Sequence, residues 1–73
     1  MDWRVDMREK FVEDLRSMTT ENQYHELTRY GHVKADVSGS GYSGEWRVMV
    51  FQYCGTKWLM HLENGNIMCI REV

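Results

Sequence analysis

Apolar residues recur with two different periods along this chain, close to 3.6 in the first thirty residues and close to 2 after that. From Asp2 to Met18, Trp3, Met7, Phe11, Leu15 and Met18 fall in one arc at about 100° per residue, with Val5 and Val12 at its edge. That spacing predicts an amphipathic helix. Asp2 can cap its start, Asp6 and Lys10 stand four apart and can pair, and Arg4 and Asp14 interrupt the apolar stripe. A helix lying on a membrane surface would carry more Lys and Arg on its polar face, so a core-facing helix is expected.

Tyr24, Leu27 and Tyr30 keep helical spacing but fall on roughly the opposite side of the same wheel. Adjacent β-branched residues, Thr19 and Thr20, are mediocre helix interior, and Thr20 with Gln23 spells a capping box. A break near Thr19 is therefore expected, with a second helix ending at Gly31. Without the break, one long helix would turn a second apolar face elsewhere.

From His32 to Ser38 the period is 2. Val33, Ala35 and Val37 share one face while Lys34 and Asp36 share the other, mixed charges that suit a sheet edge. Ser38 to Gly44 holds three serines and three glycines around Tyr42 and predicts a flexible loop. Glu45 to Val73 then reads as three apolar strands joined by two turn signals. Asn64-Gly65 is the stronger, because a type I′ turn needs φ > 0 at both central residues; Cys54-Gly55 is the weaker.

Counting outwards from those turns pairs Phe51 with Trp58, Val50 with Leu59, Met49 with Met60 and Val48 with His61. In the second hairpin it pairs Leu62 with Ile67, His61 with Met68, Met60 with Cys69, Leu59 with Ile70 and Trp58 with Arg71. Since paired residues share a face, one face would carry Met49, Phe51, Tyr53, Trp58, Met60, Leu62, Ile67 and Cys69. The other would carry Trp46, Val48, Val50, Leu59, His61, Met68 and Ile70. Both faces are apolar, and one layer of helices can cover only one. The expected fold is α+β: an N-terminal helical region over residues 2–30, packed on a four-stranded antiparallel β-meander over residues 32–73, in a single domain.

Composition sharpens this picture at three points. A chain of 73 residues buries only about 60% of its unfolded surface, so its core needs support from disulfides, a metal or association. Two cysteines are a poor disulfide framework, and in this register Cys54 in a turn and Cys69 in mid-strand are too far apart to bridge. With six methionines, no signal-peptide pattern and no long apolar run, a soluble cytoplasmic protein is expected.

The net charge is −2, with seven acids against five Lys and Arg in residues 1–30 and four against four in residues 31–73. Neither half has the basic stripe that phosphate binding requires, so nucleic acid is not the expected partner. Arg47, Lys57 and Arg71 beside the aromatics Trp46, Tyr53 and Trp58 keep it as the alternative, a regulator that stacks on single strands.

Catalytic patterns are weak. His25, His32, His61, Cys54 and Cys69 show no metal-ligand spacing, and the counted register sends His61 and Cys69 to opposite faces. Gly39, Gly41 and Gly44 spell a phosphate-cradle string, but it leads into a strand where the motif requires a helix. No catalytic residue, metal or cofactor is expected. Trp, Tyr, Met and Arg are the types enriched at interfaces. The pattern therefore predicts a non-catalytic protein-interaction module that homodimerises through Trp46, Val48, Val50, Leu59, His61, Met68 and Ile70. Docking on a larger protein is the other form this could take, as in small adaptors, regulators and phage-type or mobile-element inhibitors, an analogy of size alone.

Overall fold

In the computed structural model, which describes residues 3–73 and the side chains from residue 7 onward, the two periods become two layers. Helices α1 (Trp3–Ser17) and α2 (Thr20–Tyr30) precede strands β1 (His32–Gly41), β2 (Gly44–Tyr53), β3 (Thr56–Glu63) and β4 (Asn66–Glu72). The strands form one antiparallel sheet in the order β1-β2-β3-β4, and both helices pack on one side of it. This is the expected α+β meander. The Asp2 cap, the Asp6–Lys10 pair, and the side chains of Trp3 and Val5 in the predicted stripe and of Arg4 that interrupts it lie outside the described residues.

The helical region breaks where the threonines stand, with a different capping residue from the one expected. Thr19, in extended conformation, accepts the Asn22 backbone N–H on its Oγ1 at 3.2 Å. Gln23 is thereby released from the capping box. It is buried, and its Nε2 donates to the Leu15 carbonyl at 2.9 Å, which also accepts the Met18 N–H at 3.2 Å. Carbonyls in the last turn of a helix lack intrahelical donors, so Gln23 satisfies the end of α1 from within α2.

Gly31 ends α2, its N–H donating to the Leu27 carbonyl at 2.8 Å. Its φ of −79° needs no glycine. Space does: a Cβ there would lie 2.6 Å from the Leu27 oxygen and 3.2 Å from the Phe51 ring.

The core is Val12 and Leu15 from α1, Leu27 from α2, Met49, Phe51 and Tyr53 from β2, and Trp58 and Met60 from β3. Met18, Tyr24, Leu62 and Ile70 close around it. On α1 the buried line runs to one side of the predicted arc. Arg16 lies on that side and forms a bidentate ion pair with Glu72 of β4 at 2.7 and 3.0 Å. The sheet-facing line thus passes through Val12, between Leu15 and Arg16, while Met7 and Phe11 stay 41% and 42% exposed. The break turns the second arc back toward the same sheet face, burying Leu27 and leaving Tyr30 62% exposed.

Both predicted tight turns form, with positive φ at Cys54 (47°) and Gly55 (82°), and at Asn64 (51°) and Gly65 (80°). Between β2 and β3 the register is the counted one throughout. Between β3 and β4 it holds for Glu63–Asn66 and Leu62–Ile67 and then slips by one. Met68 is the extra residue of a β-bulge. Beyond it His61 faces Cys69 instead of Met68, Met60 faces Ile70, Leu59 faces Arg71 and Trp58 faces Glu72. Ile70 therefore joins the helix-covered face and Cys69 leaves it, which packs the larger aliphatic against the core.

A second bulge, at Lys34, separates the pairs Val33–Phe51 and Ala35–Val50, so Val33 leaves the face shared by Ala35 and Val37. The expected Ser38–Gly44 loop is mostly strand. Ser38, Gly39, Ser40 and Gly41 pair with Arg47, Trp46, Glu45 and Gly44, leaving only Tyr42 and Ser43 to turn the chain. The hold comes from a distant residue. Asn64 donates its backbone N–H to the Glu45 carbonyl at 2.8 Å. Its side chain accepts the Glu45 N–H at 2.9 Å and donates to the Ser43 carbonyl at 3.1 Å.

Candidate interaction surface

The sheet face away from the helices is made of four rows of laterally paired residues, fixed by the register and by alternation along each strand. Two central rows read Val37–Val48–His61–Cys69 and Ala35–Val50–Leu59–Arg71. Trp46 beside Glu63 closes one end, and Gln52 beside Lys57 closes the other. Neither α1 nor α2 reaches this side, since the buried residues of both helices belong to the core on the opposite face.

Trp46 is held flat by a missing side chain. A Cβ on its partner Gly39 would lie 2.7 Å from the indole Cζ2, so the ring rests over the glycine backbone while remaining 38% exposed. Val48, Val50 and Leu59 are half-buried by one another and by their strand neighbours, and Val37 at the rim is exposed. The result is an apolar centre whose charges stand only at its borders.

Of the residues predicted for this surface, Trp46, Val48, Val50, Leu59 and His61 lie on it. Met68, in the bulge, is exposed and stands with Cys69 across from His61. Ile70 does not belong to it, because the bulge carries that residue to the core side. Ala35, Val37 and Cys69 join it instead. The period-2 signal for Ala35 and Val37 was present in the sequence, but only the β1–β2 register says which face they take.

The bulge also brings His61 and Cys69 together as a lateral pair, where counting from the turn had separated them. His61 Nε2 lies 3.6 Å from Glu63 Oε1. Among the described residues no hydrogen bond joins Cys69 to His61, and no three His, Cys, Asp or Glu side chains converge on a common point where a metal ion could sit.

Arg47, Lys57 and Arg71 are not brought together. Lys57 and Arg71 border the open face, whereas Arg47 is on the helix side, its Nε donating to Asp36 Oδ1 at 2.8 Å and its Nη2 to Oδ2. That contact holds the Asp36 carboxyl below, and the Arg47 guanidinium above, their ordinary values. The pair lines a broad groove of about 610 Å³ beyond the end of the helix layer, with Tyr24, Glu45 and Asn64 around it. Its arginine is already engaged by a carboxylate.

No described helix is long and apolar enough to cross a membrane. No family model, curated protein or solved structure matches this chain, so the functional reading rests on its own surfaces.

Proposed function

We propose that this chain is a non-catalytic protein-interaction module, and that its open sheet face seats a second copy of itself. One observation carries the reading: the helices cover a single side of a sheet that is apolar on both. Valine, leucine and tryptophan in contact across a dry interface recover the hydrophobic free energy that an exposed face forgoes.

A small sheet can recruit a partner by its edges or by its faces. Here each edge strand is interrupted by a bulge, at Lys34 in β1 and at Met68 in β4, and β1 adds Lys34 and Asp36. Bulges and charges are the features that discourage edge-to-edge pairing. The face is left.

Its size sets the strength. Ten residues of β2 at about 3.3 Å each, and four strands at about 4.8 Å, give roughly 600 Å² per copy and about 1,200 Å² for two. That is the lower end for specific interfaces, consistent with a dimer that forms at micromolar concentration.

Light scattering across a concentration series tests it. A dimer is expected at high micromolar concentration, and Val48→Asp should shift it to monomer while the helix signal in circular dichroism persists. A monomeric parent at those concentrations would remove the reading. The competing nucleic-acid reading predicts binding of single-stranded oligonucleotides that falls steeply with salt, which an apolar contact would not show.

A further inference from the structure

We infer that the two copies stack with their strands antiparallel, so that Lys57 of each protomer lies over Glu63 of the other; this rests on the dimer reading above. The argument is the placement of charge along β3. On the open face this strand carries Lys57, Leu59, His61 and Glu63 in order, so the two charges stand at equal distances from a centre between Leu59 and His61.

Stacked sheets keep their strand directions within about 30° of one another, which leaves two twofold arrangements. A twofold axis running along the strands lays like ends together, placing two Glu63 carboxylates at one border and two Lys57 and two Arg71 cations at the other. A twofold axis across the strands lays opposite ends together. It sets Glu63 over Lys57, Trp46 over Gln52, Val48 over Val50 and His61 over Leu59. Each border then holds opposite charges and the apolar rows meet in the middle.

The groups around these charges agree with that choice. Among the described side chains, His61, at 3.6 Å from Glu63 in its own chain, and its lateral partner Cys69 are the titratable neighbours at the acidic border, while Arg71 and His32 stand at the basic one. Like-charge juxtaposition is costly at an interface, so complementarity selects the orientation more than it sets the affinity.

Sedimentation equilibrium on the full chain tests the orientation separately from the dimer. Lys57→Glu and Glu63→Lys should each weaken association about tenfold, and K57E/E63K together should return it to within about threefold of the parent. In the other orientation Glu63→Lys only exchanges one like pair for another, and Lys57→Glu sets carboxylates beside the Arg71 cations, so neither single variant would associate more weakly than the parent. A dimeric parent whose single variants associate as tightly as it does, or more tightly, overturns the antiparallel arrangement alone; a monomeric parent overturns the dimer as well.

Cross-linking gives the geometry directly. In a chain carrying Cys54→Ser and Cys69→Ser, Lys57→Cys and Glu63→Cys proteins mixed together should be joined by a short bismaleimide, and neither alone should be. Cross-links within either single preparation would refute the arrangement.

Discussion

Gly44 and Asn64 are fitted to each other across nineteen residues of chain: a Cβ on Gly44 would run into the Asn64 carboxamide that holds the Glu45 N–H. Gly44 also takes φ +111°, which side chains rarely adopt. The glycine closes the β1–β2 turn and leaves room for the side chain that pins it. Gly44→Ala should therefore cost about 2–3 kcal/mol, from strain and displacement together. Asn64→Gly keeps the positive φ of its own turn and loses only the clamp, at about 1–2 kcal/mol. Urea denaturation measures both. Amide exchange over residues 38–45 should be slow in the parent and fast in Asn64→Gly.

Gln23 reaches from α2 to the end of α1, and Gln23→Met keeps its volume without its donors. Because the Leu15 carbonyl retains the Met18 N–H, the loss should be about 1 kcal/mol rather than the cost of an orphaned acceptor. Chemical denaturation with an unchanged m-value would agree; a neutral effect would show that the bond contributes nothing.

Thr56 joins the β2–β3 turn to the core. Its hydroxyl donates to the Tyr53 carbonyl at 2.6 Å and accepts the Trp58 Nε1–H at 2.8 Å. Thr56→Val leaves the buried indole N–H without a partner and should cost about 1–3 kcal/mol, whereas Thr56→Ser should recover most of it. Trp58 fluorescence during unfolding reads both variants.

Tyr53 sets an alkaline limit. Burial first, and then its 2.6 Å hydrogen bond to Glu26 Oε2, hold the phenol well above its ordinary value of 10.0. A group raised in the folded state contributes stability that is complete below the unfolded value and declines as pH rises through the folded one. Stability should therefore drop above about pH 10, more steeply than in Tyr53→Phe. Parallel slopes for the two proteins would exclude Tyr53 as the cause.

Local chemistry made the helices, the break and both type I′ turns legible, because each depends on residues within a few positions of one another. The β2–β3 register followed from Cys54-Gly55 for the same reason. What escaped was non-local. Nothing near Met68 or Lys34 announces an extra residue, yet each bulge re-aims the strand beyond it, moving Ile70 to the core and Cys69 to the open face. Ser38–Gly44 has loop composition and becomes strand because Asn64, far along the chain, supplies the missing restraint. Phe11 is exposed and Val12 buried because the face of α1 is chosen by packing against the distant sheet, on the side from which Arg16 also reaches Glu72.

Every strand in this sheet is hydrogen-bonded to its neighbour in sequence, through turns of two residues. A chain arranged in this way closes short loops first and meets long ones last. Short-range closure lets small domains fold within milliseconds or less. Two contacts span more chain than any single turn: the Asn64–Glu45 clamp bridges two hairpins, and Arg16–Glu72 joins the first helix to the last strand. The last strand is thus tied to the chain at both its faces of contact, to β3 by the ladder and to α1 by one exposed ion pair.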